Sequence, residues 1–204
     1  MELLVFGASG RVGRRVCAYA VSDGHSVTAF VRDAARAPDG VSIIEGDVTD
    51  PETVGAAVSG QDAVCSALGP GDEGDLAALD TGIENLVAAM EASGVERLVA
   101  VGTAGILQAT PGRLRLDVDD FPAGLGPLAA AHRAVYDSLR PSGLDWTLVC
   151  PPRMPDGPPT NHYRTAVDYL PEGGQSVSTG DVAAFVYDAL VNDRHSCERV
   201  GIAY

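Results

Sequence analysis

The sequence contains no lysine, so all 14 of its basic residues are arginine. This absence excludes a Tyr-x-x-x-Lys pair, in which a lysine lowers the pKa of a tyrosine that transfers protons. Tyr136 shows the consequence, because the residue four positions later is Arg140, whose guanidinium is not deprotonated in proteins. A standard alcohol dehydrogenase or epimerase mechanism is therefore disfavoured.

Cysteine pairs and long apolar runs are also missing. The four cysteines (Cys17, Cys65, Cys150 and Cys197) lie far apart, so no C-x-x-C motif offers a metal or redox site. No apolar stretch approaches the roughly 18 residues that a membrane span requires, and no secretory signal precedes the first apolar run. We therefore expect a protein of the reducing cytoplasm with no metal site and no membrane partner.

Positive charge is scarce, because 28 acidic residues give the chain a formal net charge of −14. Nucleic-acid phosphates repel such a chain overall, so we expect no nucleic-acid partner. The 204 residues suffice for one α/β domain with a substantial core and are too few for two. We predict a single domain over residues 1–204 that is a monomer or a weak homodimer.

Three regularly spaced glycines follow the first apolar run, in the stretch from Leu3 to Gly13. An apolar run predicts a buried strand, the glycines end it in a tight turn, and the residues from Arg11 onward have the period of a helix. In this Gly-x-x-Gly-x-x-Gly spacing, Gly7 would form the turn, Gly10 would admit a pyrophosphate, and Gly13 would let the helix pack closely. The helix N-terminus would attract the phosphates. An ordinary strand-to-helix turn is the alternative, but the position favours a dinucleotide site formed by Gly7, Ser9, Gly10, Arg11, Val12 and Gly13.

Segments with strand and helix patterns alternate along the rest of the chain. Apolar runs predict strands at 3–6, 26–31, 41–44, 63–68, 98–101, 145–150 and 199–203, and periodic segments predict helices from 11 and at 51–58, 75–92, 127–140 and 181–191. Glycine and proline predict loops at 69–74 and 151–159, and residues 108–127 look irregular, as either a mobile flap or a solvated loop. The alternation predicts an α/β fold with a doubly wound parallel sheet, the Rossmann fold. Residues of about 104–127 and 151–180 would form a small substrate-side region.

Arg32 bears on the choice of dinucleotide. It lies nineteen positions after Gly13, close to where NAD-binding folds place a carboxylate on the ribose. A guanidinium there complements a 2′-phosphate instead. Arg36 follows at helical spacing and would add a second contact or be a surface arginine. Asp33 leaves a choice open, because it could take the carboxylate role or pair with Arg36. We predict NADP(H), with NAD(H) as the less favoured cofactor.

These motifs together resemble one group of proteins. Segments 7–13, 31–33, 46–48, 61–64, 85–90, 94–95, 142–147 and 151–152 resemble the atypical short-chain dehydrogenase/reductase group, and most of all the flavin reductase / biliverdin-IXβ reductase family and its NmrA-like neighbours. The resemblance covers essentially the whole chain. It implies that Arg32 and Arg36 meet the 2′-phosphate, that Asp47 and Val48 hold the adenine, that Leu68 and Gly69 line the cofactor, and that Thr103 lies beside the nicotinamide.

The same resemblance implies direct hydride transfer to a planar conjugated acceptor. Thr103 keeps the hydroxyl of the family's serine, whereas Arg153 stands where the family has a histidine after two prolines. Arg153 would clamp an anionic group of the acceptor or stabilise developing negative charge, unless it pairs with Asp156 or the acidic loop. His132 matches a family histidine and could be an acid, although we favour a helix-surface histidine with a structural hydrogen bond.

The leading interpretation is an NADPH-dependent reductase of a flavin, bilin, quinone or related small-molecule acceptor. A rival is an NADP-sensing, NmrA-like regulatory or scaffold protein without turnover, because Tyr-x-x-x-Lys and the family histidine are both missing. A tailoring ketoreductase or isomerase of secondary metabolism is a third, weaker interpretation, since no acid is obvious.

Overall fold

The computed structural model describes residues 1–70 and 74–204; the predicted loop at 69–74 lies partly outside them. Strands are β1 (Glu2–Phe6), β2 (Ser26–Val31), β3 (Ser42–Glu45), β4 (Ala63–Ser66), β5 (Arg97–Val101), β6 (Gln108–Thr110), β7 (Arg113–Leu114), β8 (Asp145–Cys150), β9 (Arg164–Val167) and β10 (Glu198–Ala203). Helices are α1 (Gly13–Ser22), α2 (Pro51–Val58), α3 (Ala77–Ser93), α4 (Gly126–Leu139) and α5 (Thr179–Val191).

The main sheet has the order β3-β2-β1-β4-β5-β8-β10-β9. Its strands run parallel except β9, which pairs antiparallel with β10. The chain first builds the sheet outward from β1 to β3 and then returns to add β4 on the other side of β1. This reversal leaves a crevice outside the carboxyl ends of β1 and β4. The prediction of a doubly wound parallel sheet is confirmed.

Alternate residues of the central strands enter two cores, one on each face of the sheet. Leu4 and Phe6 pack with apolar residues of α2, α3 and α4. Leu3 and Val5 pack on the opposite face, which α1 and α5 cover. Burial on both faces explains why the strands are nearly continuous apolar runs in sequence. In the described part of the chain, no helix is long and apolar enough to span a membrane.

Two short elements differ from the prediction. The segment predicted to be irregular contains the hairpin of β6 and β7, whose turn includes Gly112 at a φ of +81°. Strand β9 lies within the predicted substrate-side region, where no strand was predicted. Its residues are mostly exposed and have no apolar alternation, so only pairing with the edge of β10 makes it a strand.

Candidate functional site

The glycine turn connects β1 to α1 and requires glycine at two of its three positions. Gly7 has a φ of +70°, and a Cβ there would overlap the Ala67 carbonyl. A Cβ on Gly13 would overlap the carbonyl of Gly7, so the third glycine allows α1 to pack against the turn. Gly10 donates its N–H to the Gly7 carbonyl at 2.9 Å, and a Cβ there would lie 3.1 Å from the same oxygen. Gly10 is exposed and lines the crevice, so its backbone is accessible from that side.

The N-terminus of α1 is available to an anion. Val12 precedes the helix and makes no side-chain cap. Its own side chain is buried in the core, so Val12 can contribute only backbone to a ligand. The N–H groups of Arg14 and Arg15 already donate to the carbonyls of Gly10 and Val12, so the positive end of the helix dipole is what favours a phosphate at this position.

A cleft of about 330 Å³ opens at the carboxyl ends of β1 to β4. Nine sequence-predicted residues line it: Gly7, Ser9, Gly10, Arg32, Arg36, Asp47, Val48, Leu68 and Gly69. Arg11, Val12, Gly13, Thr103, Arg153 and His132 are not among the lining residues. The structure thus brings together residues predicted to meet the pyrophosphate, the 2′-phosphate and the adenine and to line the cofactor. Phe30 and Thr49 also line the cleft, and sequence analysis did not single them out.

Local hydrogen bonds fix Asp47 and Val48, the two residues predicted to hold the adenine. Asp47 accepts from the Thr49 N–H at 2.9 Å and from its hydroxyl at 2.8 Å. These two bonds, and to a smaller extent the charge of Arg32, lower the pKa of Asp47, which keeps it ionised. Asn85 donates to the Val48 carbonyl at 3.0 Å. Asp47 is therefore held by Thr49 of its own turn, and Val48 is held by Asn85 of α3.

Asp33 does not compete with the arginines of the cleft. Its carboxylate accepts from the Ala35 N–H at 2.9 Å and caps the short 3-10 helix Ala34–Arg36. The alternative in which Asp33 pairs with Arg36 is wrong, and Asp33 is not a lining residue of the cleft. Arg36 is positioned through its backbone, because Arg14 donates to its carbonyl at 2.9 Å.

Thr103 and Arg153 lie at the same edge of the sheet, after the neighbouring strands β5 and β8. The Ala104 N–H donates to the Pro151 carbonyl at 2.8 Å and joins the two segments. The Arg153 carbonyl accepts from the Val177 N–H at 3.1 Å, which fixes the arginine's backbone.

The side chain of Arg153 is exposed and forms no ion pair with any residue that the structure describes. Asp156 pairs instead with Arg15 at 3.1 Å. In the acidic loop, Asp117 and Asp119 pair with other arginines. The alternative that Arg153 forms a salt bridge with Asp156 or the acidic loop is therefore wrong.

His132 is buried, so its interpretation as a helix-surface residue with a structural hydrogen bond is wrong. It is 4% exposed, and its Nδ1 has no hydrogen-bond partner. Desolvation lowers its pKa from 6.5 to about 4, so the imidazole is neutral at pH 7. A buried neutral imidazole is a poor proton donor, and the structure gives the predicted role as an acid no support.

Tyr136 also lies away from the cleft. The guanidinium of Arg199 stacks 4.3 Å from the centre of its ring, and Trp146 meets it edge-on. Arg140 lines a separate cavity beside these aromatic residues. No tyrosine is among the described residues that line the cleft.

A parallel doubly wound sheet with a glycine turn at its switch point defines a dinucleotide-binding protein with an oxidoreductase-type Rossmann fold. The chain belongs to the NAD(P)H-binding family, whose profile matches residues 7–193. The nicotinamide cofactor predicted from the glycine spacing is thereby confirmed.

A sequence relative and two solved structures match the chain over nearly its full length. The uncharacterized protein YwnB from Bacillus subtilis (strain 168) is 30% identical over 209 residues, which cover 98% of this chain and 96% of YwnB. A protein from Streptococcus pneumoniae TIGR4 assigned as an NADH-flavin reductase has a TM-score of 0.87 at 32% identity and covers 100% of this chain and 99% of its own. ChuY, an anaerobillin reductase from Escherichia coli O157:H7, has a TM-score of 0.79 at 21% identity, with 98% and 97% coverage, and shows the common fold. The predicted resemblance to flavin-reductase-like proteins is confirmed.

Proposed function

We propose that the protein is an NADPH-dependent reductase that transfers a hydride to a planar conjugated acceptor such as a flavin, a bilin or a quinone. The observation that carries the proposal is that two arginines, Arg32 and Arg36, line the cleft. The nearby carboxylate of Asp33 caps its own turn and does not line the cleft. Two guanidinium groups suit the 2′-phosphate of NADPH. The full-length similarity to a protein assigned as an NADH-flavin reductase supports the reaction class.

The glycine turn fits the pyrophosphate, because Gly10 presents accessible backbone beside the N-terminus of α1. Asp47 and Val48 would bound the adenine, Leu68 and Gly69 would line the cofactor's path, and contacts from Ser9, Arg11 and Val12 would complete the phosphate site. The bound nicotinamide would supply the hydride. The protein's task is to orient the two rings and exclude water from them.

At the acceptor side, Thr103 would donate a hydrogen bond near the reacting ring, and Arg153 would bind an anionic group or stabilise the negative charge that develops there. Preorganised donors of this kind act on charge that appears in the transition state. Segments 104–127 and 151–180 would surround the acceptor. The proton that follows the hydride would come from solvent, because His132 is buried and neutral.

The direct test is anaerobic oxidation of NADPH by each acceptor of a panel, and the loss of the absorbance of reduced nicotinamide measures the rate. The panel pairs FMN with riboflavin and biliverdin with its dimethyl ester, and it adds a neutral quinone. We expect turnover with at least one acceptor and faster turnover with NADPH than with NADH. Binding of NADPH in calorimetry without oxidation by any acceptor would refute the reductase.

That negative result would favour an NADP-sensing regulatory protein instead. The specific observation behind this second candidate is the lack of a proton-donating side chain among Thr103, Arg153 and His132 at working pH. We also propose that the protein acts in the cytoplasm, where its four free cysteines would stay reduced, and that it is a monomer or weak homodimer. Sedimentation over a range of concentrations tests the oligomeric state.

A further inference from the structure

The proline-rich loop, residues 151–162, rests on the same helix that begins the cofactor site. Arg11 donates to the Met154 carbonyl at 3.0 Å. One turn later, Arg15 donates to the Asp156 carboxylate at 3.1 Å. The loop that carries Arg153 is therefore fastened on one side to the start of α1.

The first turn of α5 holds the other side of the loop. The Thr179 N–H donates to the Pro155 carbonyl and the Gly180 N–H to the Gly157 carbonyl, both at 3.1 Å. A Cβ on Gly180 would overlap the backbone between Pro158 and Pro159, so the loop and the helix touch as closely as glycine permits. Most residues from 155 to 162 are exposed. Hydrogen bonds, more than buried apolar contacts, therefore hold the loop to the helix.

Asp181 is the centre of this attachment. Its carboxylate is fully buried. One oxygen accepts from the N–H groups of Thr160 at 2.8 Å and Asn161 at 2.7 Å. The other accepts from the hydroxyls of Thr160 at 2.8 Å and Tyr204 at 2.7 Å. A buried carboxylate is tolerated only when such donors replace water, so it stabilises the one loop conformation that provides them.

Capping of α5 accounts for only part of the carboxylate's contacts. Ser178 is the N-cap: its hydroxyl oxygen accepts from the Asp181 N–H at 3.0 Å, and its O–H lies within donating distance of both the Asp181 carboxylate (3.0 Å) and the Pro158 carbonyl (2.9 Å). The Asp181 side chain is thus directed at the proline-rich loop and at Tyr204.

We propose that Asp181 is a positioning residue for the acceptor: its carboxylate holds the proline-rich loop in the conformation that presents Arg153. This inference rests on the proposed function, in which Arg153 contacts an anionic group of the acceptor. If loss of the carboxylate leaves the loop in its binding-competent conformation about one-tenth of the time, the apparent affinity for that acceptor falls about tenfold.

A double-mutant cycle on the full chain tests the proposal, with Asp181→Ala, Arg153→Ala and the combination. Asp181→Ala should raise the KM for FMN about tenfold and the KM for riboflavin less than about twofold, with the Kd of NADPH unchanged. In the Arg153→Ala background, Asp181→Ala should add less than about twofold for FMN, because its effect passes through Arg153. Hydrogen exchange should show faster exchange of the Thr160 and Asn161 amides.

The matched control is Asp188→Ala, on the same helix, whose exposed carboxylate pairs with Arg194; it should change none of these values. If Asp181→Ala does not fold, Thr160→Val removes one donor and should show the same pattern at about threefold. Equal losses for FMN and riboflavin, additive effects in the cycle, or unchanged amide exchange would overturn the positioning role while the reductase stands. No turnover by the wild-type protein with any acceptor would overturn the proposed function and this inference with it.

Discussion

Replacing the two arginines of the cleft should change which dinucleotide the protein prefers. Arg32 and Arg36 both line the cleft at the carboxyl end of β2. NADPH and NADH differ only in the 2′-phosphate, so any contact with that group affects one cofactor and not the other. Arg32→Ala and Arg36→Ala should therefore weaken NADPH selectively.

The expected magnitude follows from exposure. A hydrogen bond to a charged group contributes about 1.5–3 kcal/mol. Both arginines are exposed, so water and salt screen them and the lower end applies. Each substitution should then weaken NADPH about tenfold and both together about a hundredfold. NADH affinity should stay within about twofold, since it lacks the phosphate.

Calorimetric titration of both cofactors measures these affinities directly. Arg140→Ala is the matched control, because Arg140 lines the separate cavity beside Tyr136 and not the cleft. The preference for NADPH should also shrink as salt is added. Equal losses for NADPH and NADH would mean that the arginines support the fold around the cleft, and unchanged affinities would mean that no 2′-phosphate binds there.

Two further predictions concern the glycine turn and the buried histidine. Gly13→Ala must displace backbone and should lower the free energy of unfolding by about 1–3 kcal/mol. Gly10→Ala should keep most of the wild-type stability in thermal unfolding but lose NADPH affinity. The reverse pattern would contradict the assigned roles. For His132, the folded-state pKa of about 4 lies below the unfolded value of 6.5. The unfolded chain therefore takes up the proton first as the pH falls, and up to about 3 kcal/mol of stability is lost between these two pKa values. His132→Leu should flatten that pH dependence in urea unfolding, and an unchanged slope would show that the imidazole is hydrated.

The cofactor side was predictable because its signals are local. A glycine spacing, an arginine after the second apolar run and a Gly-Asp-Val turn each follow a strand, and parallel strands bring their carboxyl ends to one edge. The family resemblance added Asp47, Val48, Leu68 and Gly69, which complete the nine lining residues together with the glycine turn and the two arginines. Asp33 was ambiguous because a carboxylate can cap its own turn or face a ligand, and sequence spacing does not distinguish these outcomes.

His132 shows a signal that was present and not used. Ala129, His132, Val135 and Leu139 are spaced as one stripe of α4, and all four are buried. The helical period alone would have placed the histidine inward. Its lack of a partner, however, depends on which side chains surround it, and no local pattern reports that.

The acceptor side depends on pairs that are distant in sequence. Arg11 donates a hydrogen bond to Met154 and Arg15 to Asp156, across more than 140 positions of sequence. In the sequence alone, each arginine looks like an ordinary residue near the start of a helix. Their partners become visible only when the sheet places the loop after β8 beside the loop after β1. Arg11, predicted only as a phosphate residue, therefore also supports the loop beneath Arg153. In the proposed reductase, Arg11 and the first turn of α1 contact both the cofactor region and the loop that carries Arg153, so acceptor specificity would depend on long-range contacts of this chain that family-level sequence patterns do not report.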